Sequence, residues 1–222
     1  MNDKRSDIFK KIGIVSSLYL AVSYTIGIVI FLFILKYQSI DDISQKFQLI
    51  IKKTNMIFLT NMLMYIFFGP FLISLIVVLN QYLHKDETFF VKLGSLIGII
   101  WAGSLIASGM IANSGLLLVS SLYKVNPVQA EASWQIIDSI AMGIGNGNGE
   151  ILGGIFTLCI SISGLISKKL SNFTSYSGCI IGIIGMLSTI PVLIDLTGLF
   201  GILQIVWFIS LTMLFFRINS FE

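Results

Sequence analysis

Charge is what this sequence has least of. Of 222 residues, 14 are Lys or Arg and 11 are Asp or Glu, only 11% of the chain. A soluble domain carries roughly a quarter charged residues to cover its surface, so a water-facing globule is excluded. Proline occurs three times, which leaves long stretches with nothing to stop a helix. Soft metal ligands are scarce too: one histidine, His84, and two cysteines, Cys159 and Cys179. A single histidine supplies neither two axial haem ligands nor a histidine-based zinc site. Neither cysteine has a CxxC partner, so both read as small apolar packing residues. No HExxH motif, no Ser–His or Cys–His arrangement and no paired acidic motif is present. No cofactor or metal is therefore expected, and catalysis ranks last among the functions weighed. The net charge of +3 is small and scattered, which speaks against nucleic acid as a partner.

What fills the chain instead is apolar. Apolar residues make up 55% of it, and a mean hydropathy of +0.92 places it in a lipid bilayer. The length accommodates about six crossings of ~20 residues with short loops. Six apolar stretches can be marked: Ile12 to Leu35, Met56 to Leu83, Leu93 to Leu122, a fourth ending near Ser167, Tyr176 to Ile194, and Leu199 to Phe216. The expectation is one all-α domain over residues 1–222, a polytopic six-transmembrane-helix bundle. The first stretch follows Lys4, Arg5, Lys10 and Lys11 like a signal peptide, but its apolar run is too long for a cleaved one and reads as a retained helix. Gly69-Pro70 should kink the second.

Basic residues set the orientation. The N-terminus, the 84–92 loop, the 168–175 loop and the C-terminus together hold nine of them; the opposite side holds Lys36, Lys46, Lys52, Lys53 and Lys124. Both termini are expected in the cytoplasm, with the protein multi-pass in the inner membrane of a bacterium. In the first outer loop, "SIDDISQKFQLIIKK", Ile40, Ile43, Phe47, Ile50 and Ile51 recur at helical spacing, and Ser39 with Asp42 has capping-box spacing. This is either a short amphipathic helix on the outer membrane surface or an outward extension of the second helix.

The fourth stretch is the unusual one. Asn126-Pro127 marks a helix start, and nothing stops the helix before Ile166. Those 40 residues would make a rod of ~60 Å, twice the ~30 Å hydrocarbon core. Within it lies "GIGNGNGEILGG", residues 143–154. Each glycine disfavours helix by ~1 kcal/mol relative to alanine, so the run from Gly143 to Gly149 predicts a glycine-broken segment. The part before it would then be an interfacial or re-entrant outer helix, with Trp134 as a headgroup anchor. Broken backbone at membrane depth is tolerated only inside protein or against a watery cavity. An ionisable residue there is a functional-site candidate, weighed against a structural role as cap or interhelical partner.

Glu150 is that residue, with Asn146 and Asn148 beside it. Asn113, about 20 residues into the third helix, matches the depth of the predicted break, although an interhelical hydrogen bond would account for it. Asp138 and Asp195 could stand at the mouth, Asp195 also as an N-cap of the last helix. These six residues make up the candidate ligand-binding set. The sequence supports two main functions. One is an outward-facing polar pocket that binds or transports a small solute or lipid. The other is a non-catalytic accessory subunit acting through glycine-lined helix faces, either on a membrane-protein partner or on a second copy of itself.

The motifs "LYLAVSYTIGIV", "IIWAGSLIASGMIAN", "GNGNGEILGG" and "IVWFISLTMLFFR" resemble the bacterial domain of unknown function 4386 family. The resemblance covers most of the chain. It implies a six-pass membrane fold in which Gly145, Gly147, Gly149, Glu150, Ile151, Gly153 and Gly154 correspond to a glycine-rich run, an acid and paired glycines. It implies no activity, and Asn146 and Asn148 stand where glycine is typical.

Overall fold

The structure is a computed structural model that describes residues 3–83, 89–146 and 150–218, and every regular element among them is helical. His84 lies outside the described residues. α1 (Asp3–Ile28) passes into a wider turn over Val29–Ile34, where the Leu35 N–H bonds to Ile30 O, five residues back. α2 (Ile43–Lys52) is capped by Asp42, whose carboxylate accepts from the N–H groups of Ser44 and Gln45. Ser39 takes no part; its hydroxyl donates to Lys36 O. The expected capping box is thus a simple aspartate cap, because Asp42 already satisfies the first free N–H groups. At Lys53 the backbone leaves helical values (φ −115°, ψ 21°), so α2 is separate from α3 (Thr54–Asn61).

α3 leads to α4 (Phe68–Leu83) through Met62–Ile66, where the ladder slips to a five-residue bond, Phe67 N–H to Met62 O at 2.8 Å. The slip lies one turn before Pro70, which has no N–H to offer the preceding turn. It leaves Leu63 O free to accept from the Tyr19 and Ser23 hydroxyls of α1 at 2.9 and 3.1 Å. The irregularity that proline demands is in this way used to join two helices.

α5 (Phe89–Leu122) is the longest element, 34 residues or ~50 Å. α6 (Pro127–Ala141) starts where Asn126 accepts from Gln129 N–H, with Pro127 in the first position. α7 (Ile151–Ser167) is followed by α8 (Asn172–Leu187), which Ser171 caps by accepting from Thr174 N–H. The cap makes α8 begin before the expected Tyr176. It also ends at Leu187, short of Ile194, and Pro191 opens a separate 3₁₀ turn, Pro191–Leu193. α9 (Leu196–Arg217) completes the bundle.

α1 packs on α4 and α9, α5 on α4, α6 and α7, and α8 fits between α7 and α9. Leu20, Leu72, Leu79, Phe156, Trp207 and Phe208 are fully buried in the main core. A smaller apolar cluster closes one end of the bundle: Leu35, Phe47, Ile50, Leu116, Val119 and Trp134. Trp134 is only 8% exposed and stacks on Phe47 at 5.7 Å. It is a packed residue of this end cluster and not the expected headgroup anchor, because α2 folds over it.

At the opposite end, Lys10 Nζ donates to Ile218 O at 2.9 Å, tying the start of α1 to the end of α9. Tyr82 Oη donates to Lys169 O and Lys169 Nζ to Tyr82 O, tying the end of α4 to the α7–α8 link. α1 and α4 run antiparallel, Tyr19 against Phe71 and Tyr24 against Phe68, so these tied points share one end.

Among the described residues, four helical stretches are long and apolar enough to cross a membrane: Ser6–Ile34, Thr54–Leu83, Phe89–Leu122 and Leu196–Arg217. α7 and α8 are equally apolar but shorter, with 17 and 16 residues. α8 shows how the surfaces divide. Tyr176, Ile180, Ile183 and Leu187 are exposed at helical spacing, whereas Gly178, Ile181, Gly182 and Gly185 face inward. An apolar stripe of that kind is suited to acyl chains.

Candidate functional site

The fourth stretch tracks α5 in the antiparallel sense. Ile137 lies against Gly115, the Ser108 hydroxyl donates to Ala141 O at 2.8 Å, and Gly145 lies against the Ser104 backbone. Further along, Gly153 lies against Trp101, and Cys159 with Ile160 against Gly94. Thus α6 runs lengthwise beside α5. A row of small residues on α5 lets the two halves, α6 and α7, follow one line.

Between the two halves the backbone is irregular. Met142–Asn146 forms a wide turn in which Gly145 is non-helical (φ 178°, ψ 10°), and Glu150 is non-helical as well (φ −107°, ψ 50°). Residues 147–149, and so Asn148, lie outside the described residues, as does the Asn146 side chain.

Glu150 is anchored through its main chain. Its N–H donates to Ser188 Oγ at 2.9 Å, and its carbonyl accepts from Gly154 N–H at 2.7 Å, the first helical bond of α7. The residue as a whole is half-buried, and among the described residues no Lys or Arg pairs with its carboxylate. Trp101 of α5 packs beside the start of α7, against Gly153. Trp101 is 2% exposed, so its Nε1 is a buried donor with no partner. Tyr24 of α1 and Tyr65 of the wide turn before α4 lie within electrostatic reach of Glu150, and both are half-buried. Phe68 bridges this group, 5.5 Å from the Tyr24 ring and 5.7 Å from Trp101. Phe68 thus joins the Tyr24 and Trp101 rings in one aromatic cluster contributed by α1, α4 and α5.

The other candidates are placed differently. Asn113 accepts from Asn61 Nδ2 at 3.0 Å and donates to Phe58 O at 3.2 Å, joining α5 to α3. It lies twelve residues beyond Trp101, ~18 Å further along α5, and does not meet Glu150. Asp138 is half-buried on α6; burial pushes its carboxyl above the usual aspartate range and the Lys46 ammonium pulls it back. Among the described residues, Tyr65 is a charge neighbour that it shares with Glu150. Asp195 is exposed and makes no cap bond, since its own backbone is already helical (φ −61°, ψ −21°). The expected N-cap of α9 is therefore absent at Asp195.

Tyr24, Tyr65, Trp101 and Ser188 are not among the sequence candidates. No local pattern marks them; only the pairing of α1, α4 and α8 with Glu150 does. Among the described residues no group of His, Cys, Asp and Glu is arranged to hold a metal ion.

Helices of this length and hydropathy, with apolar residues turned outward, define a helical membrane protein. No family model, curated protein or solved structure matches the chain.

Proposed function

We propose that the chain is a six-pass protein of a bacterial inner membrane, kin to the domain of unknown function 4386 family, that binds or carries a small solute in an outward-facing hollow at a glycine break before Glu150. α7 and α8 serve as the two shorter crossings, ~26 and ~24 Å long, close to the ~30 Å of hydrocarbon they must span. With Lys168 and Lys169 at the inner headgroups, Glu150 stands ~26 Å away, near the outer edge of the apolar layer. The bundle end shared by the two termini and the α7–α8 link gathers most of the basic residues, which supports a cytoplasmic location for it.

One observation carries the reading. Glu150 sits in an apolar stretch at a non-helical backbone position, keeps part of its surface accessible and, among the described residues, has no Lys or Arg paired with it. A lined hollow produces that combination, and an unpaired carboxylate in it is a binding group. The accessory-subunit reading draws less support, because the glycine faces are already filled. Gly98 meets Ile76 and Phe156, Gly153 meets Trp101, and Gly154 meets Gly182, all within the chain.

The test is accessibility. Ser104, whose carbonyl faces Gly145, is half-buried on α5. In a chain with Cys159→Ala and Cys179→Ala, a Ser104→Cys thiol is expected to react with a membrane-impermeant maleimide added to the periplasmic face. No reaction in the folded protein, with full reaction after denaturation, rules the hollow out.

A further inference from the structure

We infer that the joint between α2 and α3 binds the phosphate of an anionic phospholipid, with Lys52 and Lys53 as its charged rim and the apolar surface below as the bed for the acyl chains. A surface hollow of about 250 Å³, lined by residues 51–56, opens there. It lies where the backbone leaves helical values at Lys53 and α2 gives way to α3. Lys52, Lys53 and Asn55 are exposed, whereas Ile51, Thr54 and Met56 are half-buried. Two ammonium groups and a carboxamide therefore stand over two apolar side chains. The Thr54 hydroxyl holds the floor in place: it lies 2.9 Å from Ile51 O and 3.2 Å from the Ser120 hydroxyl of α5. The volume is several times the ~30 Å³ share of one water molecule, so it admits a phosphate group but not a whole lipid.

The two charges are unanswered within the chain. Among the described residues no carboxylate pairs with Lys52 or Lys53. Asp41 and Asp42 stand at the other end of α2, ~15 Å away, and Glu131 accepts from the Ser44 hydroxyl near that same end at 2.7 Å. Lys46 differs, since its ammonium sits over the Tyr37 ring at 5.4 Å.

Depth decides between a lipid and a soluble anion. Thr54 opens the apolar stretch Thr54–Leu83, 30 residues long. A helix of that length measures ~45 Å, the thickness of a bilayer with its headgroups. The hollow at its first residues thus stands at headgroup level. From Asn55 the exposed surface continues down the stretch through Leu59 and Phe67, an apolar path that starts at the hollow and suits acyl chains. A lone lysine at a helix end reaches headgroups by its length alone. Here two of them rim a cavity, and each adds about fivefold to the hold on an anionic headgroup. A zwitterionic lipid brings its own cation to the same place and gains less. Inorganic phosphate gains nothing from the apolar path.

Quenching by brominated lipids tests this at one place. Leu59→Trp puts an indole on the exposed surface one turn past Asn55, while Trp101, Trp134 and Trp207 are buried and give a background measured on the parent. The full-length protein is reconstituted in phosphatidylcholine vesicles, and part of the lipid is replaced by phosphatidylglycerol or phosphatidylcholine with brominated chains. Phosphatidylglycerol is expected to reach the new indole with at least about fivefold preference. Lys52→Gln with Lys53→Gln should bring that ratio to about one, with the emission of the buried tryptophans unchanged as the sign of folding. Lys52→Arg with Lys53→Arg, which keeps both charges, should keep the preference. Ile180→Trp, on the exposed stripe of α8, should show none. Equal quenching by the two lipids at Leu59→Trp, a preference that survives the loss of both lysines, or the same preference at Ile180→Trp overturns the inference. So does a preference abolished by inorganic phosphate and not by chloride of equal ionic strength, which would make the hollow a site for a soluble anion.

Discussion

The backbone N–H of Glu150 donates to the Ser188 hydroxyl at 2.9 Å, and that hydroxyl donates on to Gly185 O at 2.7 Å. Ser188 is fully buried, so one side chain both caps the start of α7 and joins it to the end of α8. Ser188→Ala leaves the Glu150 N–H without this partner at a part-buried position. A buried group so orphaned costs ~1–3 kcal/mol. Chemical unfolding in mixed micelles should show a loss of that size. A variant as stable as the parent would mean that water reaches the Glu150 N–H.

Gly154 and Gly182 meet backbone to backbone. A Cβ on Gly182 would stand 2.7 Å from Gly154 O, and one on Gly154 would stand 2.7 Å from Gly182 O. Neither carbonyl can move without shifting its helix, so Gly182→Ala is expected to destabilise the bundle by ~1–3 kcal/mol, the usual cost of overpacking. Gly103 is the contrast, since nothing lies within 4 Å of a Cβ there. Gly103→Ala should raise stability by up to ~1 kcal/mol through helix propensity. The pair, measured by the same unfolding titration, separates close packing from backbone preference.

Composition alone made the helical membrane class legible, because little but a bilayer accepts so apolar a chain. Local chemistry placed the start of α6 at Asn126-Pro127 and gave Asp42 a part in starting α2. Length was legible only where the chain is regular. The apolar run opens the fifth stretch at Tyr176, but Ser171 caps the helix earlier. Asp195 was read as a cap from residue type, yet its backbone conformation keeps the side chain from reaching back. The candidate site was half legible. Glu150 is conspicuous as a charge in an apolar stretch, whereas Tyr24, Tyr65, Trp101 and Ser188 come from four other places in the chain. Their relation to Glu150 depends on which helices pair and in what register, and neither periodicity nor propensity encodes that. Asn113 had seemed to match the break by depth, but depth places a residue along one helix and says nothing about the face it shows. Its amide faces α3.

Asp138 offers a test of the end cluster through pH. It lies on α6, outside the four long apolar stretches. Burial raises its carboxyl above the ordinary 3.8, and Lys46, facing it from α2, opposes the rise; Tyr37 and Tyr65 are its other titratable neighbours. In the unfolded chain Asp138 loses its proton at the ordinary value. Between that value and the raised one, the folded state holds more protons than the unfolded state, so stability falls as pH rises through the window. The contribution is fully present below the ordinary value and gone once the folded carboxyl has ionised. Asp138→Asn should remove this fall, so that the stability difference between parent and variant changes with pH only across that window. Lys46→Met takes away the opposing charge and should carry the fall to higher pH. Unfolding titrations of the three proteins from about pH 4 to neutrality measure both effects. If Lys46→Met leaves the pH dependence in place, the contact between α2 and α6 does not set the ionisation of Asp138.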